Sequence, residues 1–87
     1  MIVILTMPNC KNCSALAMFI EGMGLSDKVV WHNASDHMDL CRKFYIKSVP
    51  AVLVYKRAAD KEPEKIITDP AEMNDFFNEV KRNENNI

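Results

Sequence analysis

The sequence predicts a small α/β domain, a four-stranded mixed sheet flanked by helices in the order β-α-β-α-β-β-α. Three observations carry this expectation. Short apolar runs rich in β-branched residues at Ile2–Leu5, Val29–His32 and Ala51–Tyr55 have the length and composition of strands. Segments between and after them repeat apolar residues at three- and four-residue spacing, which is the period of a helix with one buried face. No composition shift, internal repeat or low-complexity linker divides the 87 residues, so 1–87 is read as a single domain.

Ile2–Leu5 is continuously apolar, as a strand covered on both faces should be. Thr6-Met7-Pro8-Asn9 ends it, because Pro8 has no N–H to donate to a ladder. A helix is predicted from about Lys11 to Met23, with Leu16, Phe19, Ile20 and Met23 inward. Gly22 and Gly24, the only two glycines, fall where it should stop. After the strand Val29–His32, Asn33-Ala34-Ser35-Asp36 offers turn and cap residues. A short helix is expected over His37–Tyr45, with either Met38, Cys41 and Tyr45 or Leu40 and Phe44 on the inner side. Val49-Pro50 breaks the pattern before the strand Ala51–Tyr55. A polar connection, Arg57 to Glu64, then leads into a short antiparallel strand, Lys65–Ile67. Asp69-Pro70-Ala71-Glu72 is a helix start: Asp69 suits the N-cap, Pro70 the first turn, and Glu72 can reach back to the cap. Met73, Phe76, Phe77 and Val80 give this last helix its buried face. The tail 82–87 is polar and Asn-rich and is expected to fray.

Composition narrows the function. Lys and Arg number 11 against 12 Asp and Glu, a net charge of -1, and nothing in the balance points to nucleic acid or a membrane surface. The apolar run near the start is short and has no basic leader, so it reads as neither a signal peptide nor a membrane span. The expected location is the cytoplasm. A cysteine pair in that reducing compartment is more often catalytic or metal-binding than a structural staple, and three cysteines do not make a closed disulfide framework.

Cys10-Lys11-Asn12-Cys13 is the strongest chemical signal. It lies directly after a buried strand and at the first turn of a helix. There the unpaired N–H groups and the positive end of the helix dipole favour a thiolate over a thiol, and Lys11 adds a cation. Cys10, at the helix start, should be exposed and act as nucleophile. Cys13, one turn in, should be covered and act as resolving thiol. The bland reading makes both cysteines small apolar residues of a helix start. Val49-Pro50 is the second signal, since a proline opening an apolar strand implies a cis bond or an open strand edge. Taken alone it is an ordinary strand-entry proline.

Together these residues resemble the glutaredoxin-like branch of the thioredoxin superfamily. The strand, the Cys10-x-x-Cys13 helix, Ser48-Val49-Pro50 before a strand, the hairpin and the closing helix carry the resemblance from Ile2 to about Lys81. It implies a thioredoxin-like fold of the glutaredoxin type and a dithiol–disulfide oxidoreductase, working in electron transport and cell redox homeostasis. It further implies a cis Pro50 facing Cys10 and a Val49 that docks substrate through its backbone. Lys11, Thr68 and Asp69 would then be charged or polar contacts to glutathione. No cofactor is expected to be tightly bound, and glutathione is a candidate reductant. Expected partners are disulfide-bearing proteins, ribonucleotide reductase among them, with glutathione or thioredoxin reductase as electron donor and no nucleic acid or membrane. The chain is expected to act as a monomer. Two departures stand out: Lys11-Asn12 replaces the family's usual Pro-Tyr, and Ile66-Ile67 stands where a Gly-Gly pair is usual. Strand alternation sends one isoleucine to each face, so one of them can overhang the ligand groove.

Other candidates are weaker. Cys41 reads as a core residue, and Trp31 and the methionines as packing. His32 and His37 read as surface or edge residues. A zinc set drawn from Cys10, Cys13, Cys41 and one histidine lacks a second paired motif, so no metal site is assigned. The alternative to an enzyme is a non-catalytic binding module of the same fold, holding a peptide or a metal without turnover at its cysteines.

Overall fold

The computed structural model describes residues 1–85. They form a small α/β domain with a four-stranded mixed sheet. The strands are β1 (Ile2–Thr6), β2 (Val29–Asn33), β3 (Ala51–Val54) and β4 (Lys65–Ile67), and the helices are α1 (Lys11–Gly22), α2 (Met38–Lys43) and α3 (Pro70–Asn85). The sheet order is β2-β1-β3-β4. β1 pairs parallel with β2, joined by the α1 crossover, and antiparallel with β3, which pairs antiparallel with β4.

β1 is central and covered on both faces, which is why its sequence is apolar without alternation. Ile4 faces a core shared with Leu16 and Ile20 of α1 and with Met73 and Phe77 of α3. Val3 and Leu5 face a smaller core with Ala34, Cys41, Ala51 and Leu53 on the α2 side. Two layers of helix thus sandwich one sheet.

The register explains why distant residues meet. Leu5 is opposite Ala51 and Val52 is opposite Ile67, while Thr6 is opposite Asn33. The loop after β1, the residues just before β3 and those just after β4 therefore emerge at one end of the sheet. Cys10, Val49-Pro50, Thr68 and the N-termini of α1 and α3 share that end.

Two helices end with the same motif. At α1, Gly24 adopts φ +73°, Gly24 N–H donates to Glu21 O at 2.9 Å, and Leu25 N–H donates to Ile20 O at 3.0 Å. Leu25 and Ile20 then bury together in the larger core. At α2 the left-handed position is Tyr45, at φ +55°. Tyr45 N–H reaches Arg42 O at 3.4 Å and Ile46 N–H reaches Cys41 O at 2.9 Å, with Ile46 packed on the smaller core. A left-handed tyrosine costs about 1 kcal/mol relative to glycine in sterics, and this one is 81% exposed.

Several sequence expectations need correction. The helix expected over His37–Tyr45 is a 3₁₀ turn, Ala34–His37, followed by α2. His37 closes the 3₁₀ turn and, at φ −132° and ψ 38°, leaves α-helical geometry as the N-cap of α2, so the two do not run on as one helix. The inner stripe of Met38, Cys41 and Tyr45 fails with it: Cys41 is buried, whereas Met38 and Tyr45 are exposed. β3 stops at Val54, although Tyr55 N–H still donates to Met1 O at 2.8 Å. The tail expected to fray from residue 82 continues as helix to Asn85, since neither Gly nor Pro interrupts it; 86–87 lie outside the described residues. Among the described residues no helix is long and apolar enough to cross a membrane.

Candidate active site

Cys10 is the N-cap of α1. Asn9 takes the left-handed conformation, φ +59°, and turns the chain out of the β1 loop; asparagine tolerates this better than most residues. Cys10 itself is extended, at φ −101° and ψ 109°, as an N-cap must be. Its carbonyl accepts the first helical bond from Ser14 N–H at 3.1 Å. Its sulfur accepts from Cys13 N–H, also at 3.1 Å. A sulfur thus occupies the place usually taken by a serine or aspartate oxygen. In the reduced chain this N–H and the helix dipole both stabilise negative charge on Sγ.

Cys10 and Cys13 are joined in a disulfide, with Cα atoms 5.2 Å apart. Cys10 is half-buried, whereas Cys13 is 6% exposed and belongs to the buried set. Any external sulfur meets Cys10 first. Lys11, next to it, is exposed and has no ion-pair partner among the described residues.

Val49 and Pro50 lie beside the pair. The Val49–Pro50 bond is cis, and the Val49 carbonyl oxygen sits 3.9 Å from Cys10 Sγ. Pro50 is buried and Val49 half-buried. A reduced Cys10 can donate its S–H to that carbonyl.

Two grooves flank the start of α1. One, of about 720 Å³, contains both cysteines and runs from Met7 and Lys11 to Ser14 and Trp31. The other, of about 430 Å³, is lined by Asn12, Phe19, Val49, Pro50, Thr68 and Pro70 among others, and by neither cysteine. Thr68 therefore lines the second groove together with Val49 and Pro50. Asp69 lines neither. Its Oδ2 accepts from Glu72 N–H at 3.0 Å and caps α3. Ile67 is buried in the larger core and Ile66 packs against the smaller one, so each isoleucine takes a different face and neither lines a groove.

No protein-family model matches the chain, and no curated protein matches it.

Sequence reasoning missed the larger groove. Trp31 and Met7, read as packing, are 39% and 48% exposed and line it. The signal was available in principle, because a parallel β1–β2 pairing sets Trp31 opposite Ile4, close to the cysteine loop. Alternation alone could not show that β2 is an edge strand, which is what leaves Trp31 uncovered. His32 and His37, expected as surface or edge residues, are both half-buried, with Nδ1 of His32 and Nε2 of His37 2.8 Å apart. Cys41 is buried in the smaller core. Among the described residues no three His, Cys, Asp or Glu side chains gather as metal ligands, so the four that a zinc set would need do not come together.

Proposed function

We propose that this chain is a glutaredoxin-like dithiol–disulfide oxidoreductase of the thioredoxin superfamily, active in a reducing compartment such as the cytoplasm. The observation that carries the reading is the Cys13 N–H bond to Cys10 Sγ at a helix N-terminus, in a pair whose outer member is the more accessible. That arrangement favours a thiolate at Cys10 and protects Cys13 from external reagents.

The cycle follows from these positions. Cys10 thiolate attacks one sulfur of a substrate disulfide; the Cys10–substrate bond forms, the substrate S–S bond breaks, and the leaving thiolate takes a proton from water. Cys13, deprotonated, then attacks Cys10 Sγ. The mixed disulfide breaks, the second substrate thiol leaves, and Cys10–Cys13 is oxidised. Two electrons pass from the dithiol to the substrate. An external dithiol or two molecules of glutathione restore the pair. Val49, with its carbonyl near Cys10 Sγ, is the backbone against which a bound peptide or glutathione would lie. Thr68 shares its groove, and Lys11 supplies the nearby positive charge.

The test is to supply the oxidised protein with NADPH and either glutathione plus its reductase or thioredoxin reductase. NADPH consumption coupled to reduction of a protein disulfide is expected with one of the two. Consumption with neither, and a Cys10–Cys13 pair that dithiothreitol leaves oxidised, would favour a binding module.

A further inference from the structure

We propose that the larger groove, on the β2 side of Cys10, takes an extended segment of a disulfide-bearing protein that carries an apolar side chain beside its half-cystine and a carboxylate nearby. This rests on the oxidoreductase reading and names the substrate feature which that site selects.

Four observations converge on this occupant. First, both cysteines line the β2-side groove and neither lines the other. Thiol–disulfide exchange needs the attacked sulfur at Cys10, so the chain bearing that sulfur has the β2-side groove open to it. Second, the mixed lining includes two large apolar side chains left uncovered: Met7 is 48% and Trp31 39% exposed. Exposed aromatic and methionine side chains beside a reactive group favour docking of an apolar side chain. Third, Lys11 is the single charged residue in the lining and has no ion-pair partner among the described residues, so the complementary charge is a carboxylate. Fourth, β2 is an edge strand, and Trp31 lies within it. Its outer backbone is unpaired in the sheet, which suits an extended segment over a small rigid molecule. The step itself is the exchange already written: the Cys10–substrate bond forms as the substrate's own S–S bond breaks.

Two peptides test this, each as its symmetric disulfide. One places Phe before and Asp after the cysteine; the other places Gly before and Lys after it. Stoichiometric reduced protein is mixed with each and the released thiol is followed, which removes any dependence on the electron donor. Hydroxyethyl disulfide serves as a third substrate. Wild type should reduce the Phe/Asp peptide about tenfold faster than the Gly/Lys peptide. Lys11→Glu should erase or invert that ratio, and any change it makes in Cys10 reactivity cancels because both peptides meet the same thiol. Trp31→Ser and, in the exposed loop, Met7→Ser should each shrink the ratio. Equal rates for the two peptides in wild type, or a ratio that survives all three substitutions, would overturn the proposal. If wild type also leaves hydroxyethyl disulfide intact, the oxidoreductase reading fails instead.

Discussion

Helices α1 and α3 start at the same end of the sheet, and each is capped the same way. Cys10 Sγ accepts from the N–H three residues on at 3.1 Å, and Asp69 Oδ2 accepts from the N–H three residues on at 3.0 Å. The aspartate is committed to its helix. The sulfur forms a cap and at the same time belongs to the more accessible of the two cysteines. On the proposed function, one local device thus serves stability at α3 and chemistry at α1. The difference lies in the atom that fills the cap, since sulfur can change its covalent partner and a carboxylate does not.

The sharpest way to break the comparison is Cys10→Ser. Serine is a preferred N-cap, so α1 keeps its cap, and the melting temperature should stay close to that of reduced wild type. Turnover should vanish, because the hydroxyl is not a nucleophile towards disulfides. A variant that still reduces hydroxyethyl disulfide would remove Cys10 from the mechanism. Next in size is Asp69→Ala. Loss of the α3 cap should cost about 1 kcal/mol, or about 4–8 °C in melting temperature for a domain of this length. An unchanged melting temperature would mean that the bond to Glu72 N–H contributes nothing. Asp69→Asn, which keeps a capping oxygen, separates the cap from the ligand role that the family resemblance implies. If Asp69 also holds glutathione, this variant should need more glutathione for half-maximal turnover.

Alkylation rates sharpen the other side. In the reduced protein, Cys10 should react faster than Cys13 at neutral pH, with its titration midpoint below the free-thiol value of about 8.5. Faster alkylation of Cys13 would reverse the two roles. At higher pH a separate group intervenes: burial pushes the Tyr55 hydroxyl above its ordinary value of 10.0. A raised folded value means that its contribution is full below the unfolded value and is lost as pH rises through the folded one. Stability should therefore fall above about pH 10, and Tyr55→Phe should flatten that fall in melting curves taken across the range. The smallest expected effect is at Tyr45. Tyr45→Gly removes left-handed strain but adds freedom to the unfolded chain, for a net gain of about 0.5 kcal/mol. A loss would show that the exposed ring packs on something that its exposure conceals.

The residues that were readable in the sequence are those whose chemistry is local. Asp69-Pro70 marks a helix start because a carboxylate can cap and a proline has no N–H to leave unpaired. Ile2–Leu5 is read as a central strand because only a strand covered on both faces affords an unbroken apolar run. The residues that were not readable depend on long-range placement. Tyr45 has no left-handed preference of its own; it takes that conformation because Ile46 must turn inward to join Cys41. Trp31 looks like core until the sheet order shows that, among the described residues, no strand lies outside β2. Residues 82–85 look like coil, yet a helix already nucleated at Pro70 continues through them to Asn85.

Trp31 is the only tryptophan in the chain, and it lines the groove that holds the Cys10–Cys13 disulfide. The protein therefore carries its own optical reporter. Sulfur near an indole quenches its emission by electron transfer, and a disulfide does so more strongly than two thiols. Intrinsic fluorescence should brighten on reduction of Cys10–Cys13 and shift towards the blue when an apolar side chain displaces water from the groove. Oxidation state and occupancy can thus be followed as separate signals, intensity and wavelength, in the unlabelled protein.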